Sequence, residues 1–284
     1  MVWVPGTHVA IVPPPKFAPS ATVAGFDLED GEASIRINEL PASPFDATDA
    51  ALASGGYIVN SRERTARDGQ SRQLFDGEQT SEGVTIGRMV LSIGTEETSA
   101  LVIADYPLDA PELRDPLHAA LESVVLDPER AVEPGVAMAF EVTPAAPLRL
   151  AGLLGPTAVY NTLGSLHRLD SLIPTMNIRL IDGDPTANPA AFLEKQLDGM
   201  RQQLLPGLSL PPVQTTIDGE PATQLVTTAM DNLHDMDRRL FVYQVLLVHP
   251  DGGRSVHMSA VAAHAAHDEL LSAFRATAES FRWR

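Results

Sequence analysis

Apolar and polar residues alternate with period two along several stretches, and twice such a pair closes into a hairpin that runs on into an amphipathic helix. In the later copy, Leu240 to Val248 reads as a strand and Pro250-Asp251-Gly252-Gly253 as a turn. Val256 to Ala263 is the return strand and Asp268 to Phe281 the helix. The earlier copy runs Arg88 to Ile93, a turn at Thr95-Glu96-Glu97, Ala100 to Asp105, then a helix from Glu112 to about Leu126. In that helix Leu113, Leu117, Leu121 and Val124 fall at i, i+4, i+8 and i+11, a single apolar stripe. Ile93 and Val248 are 155 positions apart, and Glu122-Ser123-Val124 precedes Glu279-Ser280-Phe281 by 157. A near-constant offset of this kind marks an internal duplication.

The remaining elements fit that plan. Val9 to Val12 is a short apolar run ended by Pro13-Pro14-Pro15, which cannot donate to a ladder. Ala33 to Leu40 alternates as a half-buried strand. Ser43-Pro44, with Asp46 in the first turn, opens a helix expected to reach about Ala53 and stop at Gly55-Gly56. Tyr57 to Val59, Ser71 to Gln79 and Thr85 to Ile93 continue an antiparallel sheet, with Asp68-Gly69 as a tight turn. Asp127-Pro128-Glu129-Arg130 and Glu133-Pro134-Gly135 form the clearest linker. Domains are therefore expected at 1–130 and 131–284. In the second, short strands are expected around 137–142, 148–153, 158–163 and 177–181, a helix from Pro189 to Leu205, and a second turn at Asp218-Gly219. The fold class read from this order is α+β: two tandem α-β-α sandwich domains, each a central antiparallel sheet covered by helices.

The pleat orients the second hairpin. A loop centred on Asp251-Gly252 sets His249 opposite Arg254, so Tyr243, Val245 and Leu247 share a face with Val256, Met258 and Ala260. That face is expected beneath the helices. The other carries Gln244, Leu246, His257 and Ser259, a mixed surface left to solvent or to a partner.

Charge narrows the partners. The chain has 20 basic and 37 acidic residues, a net charge of −17. Up to residue 140 there are 9 basic against 22 acidic residues; after it, 11 against 15. Such a surface repels phosphate backbones and anionic lipid, which argues against nucleic acid. There is no cysteine, so disulfides, thiolate catalysis and cysteine-ligated zinc are excluded. No run approaches the ~20 apolar residues of a transmembrane helix. The opening Met-Val-Trp-Val-Pro-Gly lacks a basic start and apolar core, so the expected setting is either the cytoplasm or, with a signal removed, an extracytoplasmic one.

Little chemistry stands out. His234, His249, His257, His264 and His267 crowd the last third, and His264 and His267 lie three apart with Asp268 following. A metal needs three or four converging ligands, and this pair with one acid is short of that. Asp231, Asp235 and Asp237 lack the glycine and terminal glutamate of a calcium loop. There is no serine elbow and no phosphate-cradling glycine motif. Trp283 beside Phe281 reads as a core plug, and Trp3 lies at the other end. No catalytic, cofactor-binding or metal residue is assigned.

Val9-Ala10-Ile11-Val12-Pro13-Pro14 leading to Phe17, then Ser34-Ile35-Arg36-Ile37 and Glu39-Leu40-Pro41, resembles the PsbP/Mog-type fold. It is most similar to the bacterial exported branch with DcrB-like and LpqN-like proteins. The first half resembles the family along its length, the second chiefly from Asn177 onward. The resemblance implies a compact binding or assembly module, with no catalytic residues to carry over. Family members include a photosystem II extrinsic subunit, a Ran-binding protein, envelope lipoproteins and chaperones of type VI secretion effectors. Three expectations follow. The first is a non-enzymatic, periplasmic or otherwise extracytoplasmic binding or scaffolding protein whose partner is another protein and which needs no cofactor. The second is a cytoplasmic chaperone of type VI secretion effectors, with an apolar groove around Leu246 and its first-half counterpart Leu91. The third is a histidine-dependent metal-binding protein, a metal-dependent enzyme or metal carrier using His264, His267 and a remote carboxylate.

Overall fold

The computed structural model describes residues 1–29, 31–41, 52, 56–81, 83–95, 98–132, 135–136, 138–166, 173–182, 188–201, 204–209, 211–231, 238–249 and 253–284. The helix expected from Ser43, the hairpin crowns at 96–97 and 250–252, His234, Asp235 and Asp237 lie outside the described residues. The chain divides into two compact units, Met1–Met138 and Ala139–Arg284. Arg130 explains why the division falls later than the linker suggested. Its Nη1 donates to the Thr7 carbonyl at 2.7 Å, and its guanidinium lies 4.5 Å over the Trp3 ring, so this stretch still belongs to the first unit. From Ala139, whose carbonyl accepts from the Arg284 N–H at 3.0 Å, the chain is held by the second.

In the first unit β1 (Val2–Trp3) and β2 (Val9–Ile11) precede the main sheet. That sheet comprises β3 (Phe17–Pro19), β4 (Gly25–Leu28), β5 (Ser34–Pro41), β6 (Tyr57–Arg67), β7 (Gln70–Ser81), β8 (Val84–Gly94) and β9 (Thr98–Pro107). The order across it is β3-β4-β5-β9-β8-β7-β6, with every pair antiparallel. Helix α1 (Arg114–Glu122) follows, and β10 (Val125–Leu126) then pairs with β2. Ile37, Val102, Leu91 and Leu74 form one row across β5, β9, β8 and β7, and Leu117 and Leu121 of α1 close over it. On the reverse face Tyr57, Phe75 and Val90 form a second cluster, with Leu52 against it.

The second unit repeats the path. β11 (Phe140–Glu141) pairs with the last strand, β20 (Arg282–Trp283). The main sheet holds β12 (Arg149–Leu154), β13 (Thr157–Asn161), β14 (Thr175–Asp182), β15 (Leu204–Ser209), β16 (Val213–Ile217), β17 (Glu220–Asp231), β18 (Arg238–Val248) and β19 (Arg254–Ala263). Its order is β12-β13-β14-β19-β18-β17-β15, with β16 also on β17. Helix α2 (Pro189–Arg201) packs Leu193 and Leu197 on Leu225, Val242 and Leu246. Helix α3 (His267–Glu279) takes the opposite face, where Phe274 lies 5.7 Å from the Phe241 ring and stacks on Tyr243 at 6.5 Å.

Tyr243 pairs with Ala260, Val245 with Met258 and Leu247 with Val256, the register read from the pleat, and the His249 N–H donates to the Arg254 carbonyl at 2.8 Å. Both Asp-Gly turns adopt positive φ at each residue, 52° and 78° at Asp68-Gly69 and 55° and 81° at Asp218-Gly219. Those are the angles of the two-residue hairpin whose twist matches its strands. A Cβ at Gly69 meets nothing within 4 Å, so only backbone strain opposes it. Gly69→Ala is expected to cost ~1 kcal/mol in urea unfolding, the penalty of a left-handed alanine.

Three expectations need correction. The fold class holds in part: each unit has its antiparallel main sheet, but among the described residues the chain is mostly β, with sparse helical cover. The helix from Pro189 ends at Arg201, and Leu204 already belongs to β15. The mixed face of the second hairpin is not an outer surface: Gln244, Leu246, His257 and Ser259 are all buried, because α2 covers that side. Leu246 is therefore packed beneath α2. Leu246 and Leu91 are not counterparts either. Leu91 pairs with Leu74 and Val102, whereas the matching row of the second unit runs through Val245, between Gln224 and Met258. A one-residue slip moves a side chain to the opposite face of a sheet.

Candidate functional site

β6 ends the first sheet, and from Asn60 to Arg67 all its side chains are exposed. Glu63 pairs with Leu74, so Glu63, Thr65 and Arg67 point to the side that carries α1. Between them and the end of α1 lies a notch of about 630 Å³, with Leu74, Leu91 and Leu121 at its base. That volume is in the range of small-ligand clefts. Arg72 forms part of the wall. Its Nη1 donates to the Val124 carbonyl at 2.7 Å, and its Nη2 to those of Leu121 and Glu122 at 3.2 and 3.1 Å. These are carbonyls at the end of a helix, which lack partners within it and favour a cation. Burial, then the charge of Arg67, lowers the Arg72 pKa, and Glu122 works against them.

Three side chains converge on the rim. His118 and Glu122 lie one turn apart on α1, and Glu63 reaches them from β6. His118 Nε2 is 4.0 Å from Glu63 Oε1, and Nδ1 is 4.0 Å from Glu122 Oε2. One ligand atom from each lies within 4.8 Å of the others. Such a set can hold a cation or a hydrogen-bonding group. The Ser123 hydroxyl in the wall is already committed: it donates to the Ala120 carbonyl at 2.6 Å and accepts from the Val12 N–H at 2.8 Å. Sequence reasoning passed over this trio, since only the i, i+4 spacing of His118 and Glu122 is local and strand pairing supplies Glu63.

The histidines singled out from sequence are scattered. His264 and His267 have rings 5.7 Å apart, and His267 Nδ1 lies 2.9 Å from Asp268 Oδ1 while its ring abuts Phe241. Among the described residues no third ligand converges on that pair. His249 packs edge-on against Trp283, beside a smaller cleft of about 380 Å³. His257 is buried under α2, with its ring edge to Phe192 and Nε2 2.9 Å from Gln244 Oε1. Burial, then Arg179, pulls the His257 pKa down to about 4, so the ring is neutral and donates from Nε2 to the amide oxygen. Asp231 closes β17. Trp283 packs on Phe281 with ring centroids 4.9 Å apart. Trp3 is 42 % exposed beneath Arg130.

Other charges brace the first unit. Arg88 and Asp105 form a two-pronged pair across β8 and β9, at 2.5 and 2.7 Å. Arg114, at the start of α1, donates to the buried Asp76 on β7. Tyr57 donates to the Arg88 carbonyl at 3.0 Å, and its pKa is raised first by burial and then by Asp76.

No protein-family model matches the chain, and no curated protein matches it in sequence. Solved structures do. LpqN of Mycobacterium tuberculosis, involved in cell envelope biogenesis, aligns at 19% identity with a TM-score of 0.38, over 50% of this chain and 81% of its own. Cyanobacterial PsbP from Synechocystis aligns at 13% identity and a TM-score of 0.31, over 54% and 84%. The type VI secretion immunity protein TplEi of Pseudomonas aeruginosa aligns over 98% of both chains, at 9% identity and a TM-score of 0.34. No residue role is transferred from these similarities. No helix among the described residues is long and apolar enough to cross a membrane.

Proposed function

We propose that this chain is a non-enzymatic, extracytoplasmic binding or scaffolding protein that receives an extended, acidic segment of a partner protein along β6. One observation carries the reading. β6 is an 11-residue strand paired on one side only among the described residues, with side chains exposed from Asn60 onward. An edge of that length presents a row of backbone donors and acceptors that templates another strand, and native proteins normally blunt such edges. Charge selects the occupant. Arg62 and Arg64 share one face of β6 and Arg67 lies on the other, in a chain whose net charge is −17. The extracytoplasmic setting is supported by the sequence resemblance alone, and cell fractionation of the natural producer tests it separately.

The binding test uses a fluorescent peptide of alternating valine and glutamate, 11 residues to match β6. Saturable binding that weakens with salt is expected, and Arg64→Glu combined with Arg67→Glu should lower affinity at least ~10-fold. Those positions are exposed, so the circular dichroism spectrum should not change. Equal binding by the variant contradicts the reading.

A further inference from the structure

We propose that Glu63, His118 and Glu122 form a site for a divalent transition-metal cation, Zn²⁺ in the first instance, at the mouth of the first unit's notch. The donor set is one imidazole and two carboxylates, the mixed nitrogen and oxygen chemistry that zinc accepts. A calcium ion asks for six to eight oxygens and magnesium for an octahedron rich in water, so the nitrogen and the count of three favour zinc. Two carboxylates also balance the charge of the ion.

The spacing points the same way. At 4.0 Å, His118 Nε2 to Glu63 and His118 Nδ1 to Glu122 are too long for direct hydrogen bonds, and an ion would take one of the two ring nitrogens with one oxygen from each glutamate. Donors about 2.0–2.1 Å from a tetrahedral zinc lie about 3.3 Å apart, and the present atoms lie within 4.8 Å of one another. Closing the remainder takes a small rotation of Glu63 and Glu122, whose side chains are 58% and 61% exposed and free of tight packing. His118 is more enclosed, at 31%, and sits with Glu122 on a helix that fixes their separation. Three protein donors leave a fourth position for water or for a ligand entering the notch. The ion would also give edge strand β6, which among the described residues pairs only with β7 in the sheet, a second anchor on α1. None of this depends on a protein occupying β6.

The experiment is calorimetric titration of the chelator-treated full chain with ZnCl₂, with CaCl₂ as comparison. One Zn²⁺ per chain is expected, with no comparable calcium binding. His118→Ala and, separately, Glu63→Gln should each weaken zinc binding by more than the ~10-fold that loss of an outer contact costs. Zinc should raise the melting midpoint of the wild type and not of these variants. His264→Ala with His267→Ala should bind as the wild type does. Glu63 is exposed, so Glu63→Gln keeps the test valid should His118→Ala fail to fold. Absence of stoichiometric binding, binding that survives both rim variants, or binding lost only with His264 and His267 overturns the site.

Discussion

Phe274→Ala is expected to destabilise the second unit by about 3–5 kcal/mol, the range for deleting a fully buried aromatic ring. Phe274 is 0% exposed and stands between Phe241 and Tyr243, so its removal leaves a cavity bounded by rigid rings as well as lost contact. Leu117 holds the matching place on α1 in the first unit, equally buried above Leu74 and Leu91. Urea unfolding followed by Trp283 emission in a Trp3→Phe background reads the second unit by itself. Each unit has its own core, so Phe274→Ala should shift that transition, and Leu117→Ala should leave it within ~0.5 kcal/mol of the parent.

Acid should undo the second unit through His257. Its folded pKa is lowered to about 4, against an unfolded value of ~6.5. Between those values the unfolded chain holds more protons than the folded one, so stability falls as pH falls through the window. The stabilisation is fully present above pH ~6.5 and is lost by about pH 4, a change of ~3 kcal/mol at 1.36 kcal/mol per unit. The cause is physical: a charged imidazole would lie under α2, desolvated, with Arg179 beside it. His257→Gln should flatten the stability profile across that window, and an unchanged slope assigns the acid sensitivity elsewhere.

His257 also shows where sequence reading stops. The register of the second hairpin was legible, because Tyr243, Val245 and Leu247 alternate with a turn whose length admits few pairings. So were the Asp-Gly turns, which demand positive φ. The reverse face was misread because Gln244 and His257 look like solvent positions. They bond to each other across the strands, which removes two polar groups from solvent at once and lets Leu193 and Leu197 settle over them. A period of 3.6 locates a helix but not the area it shields, and among the described residues helix cover is sparse. The Glu63, His118 and Glu122 trio was invisible because its parts come together only when β6 closes the sheet. Its histidine sits apart from the C-terminal group that drew attention.

Backbone amide exchange shows whether a partner strand adds along β6, which among the described residues is paired on one side only. Deuterium uptake of the full chain, with and without the acidic peptide, is expected to slow along 57–67 and to stay unchanged across the second sheet. Peptide binding that protects another segment, or that leaves the β6 amides exchanging as before, contradicts it.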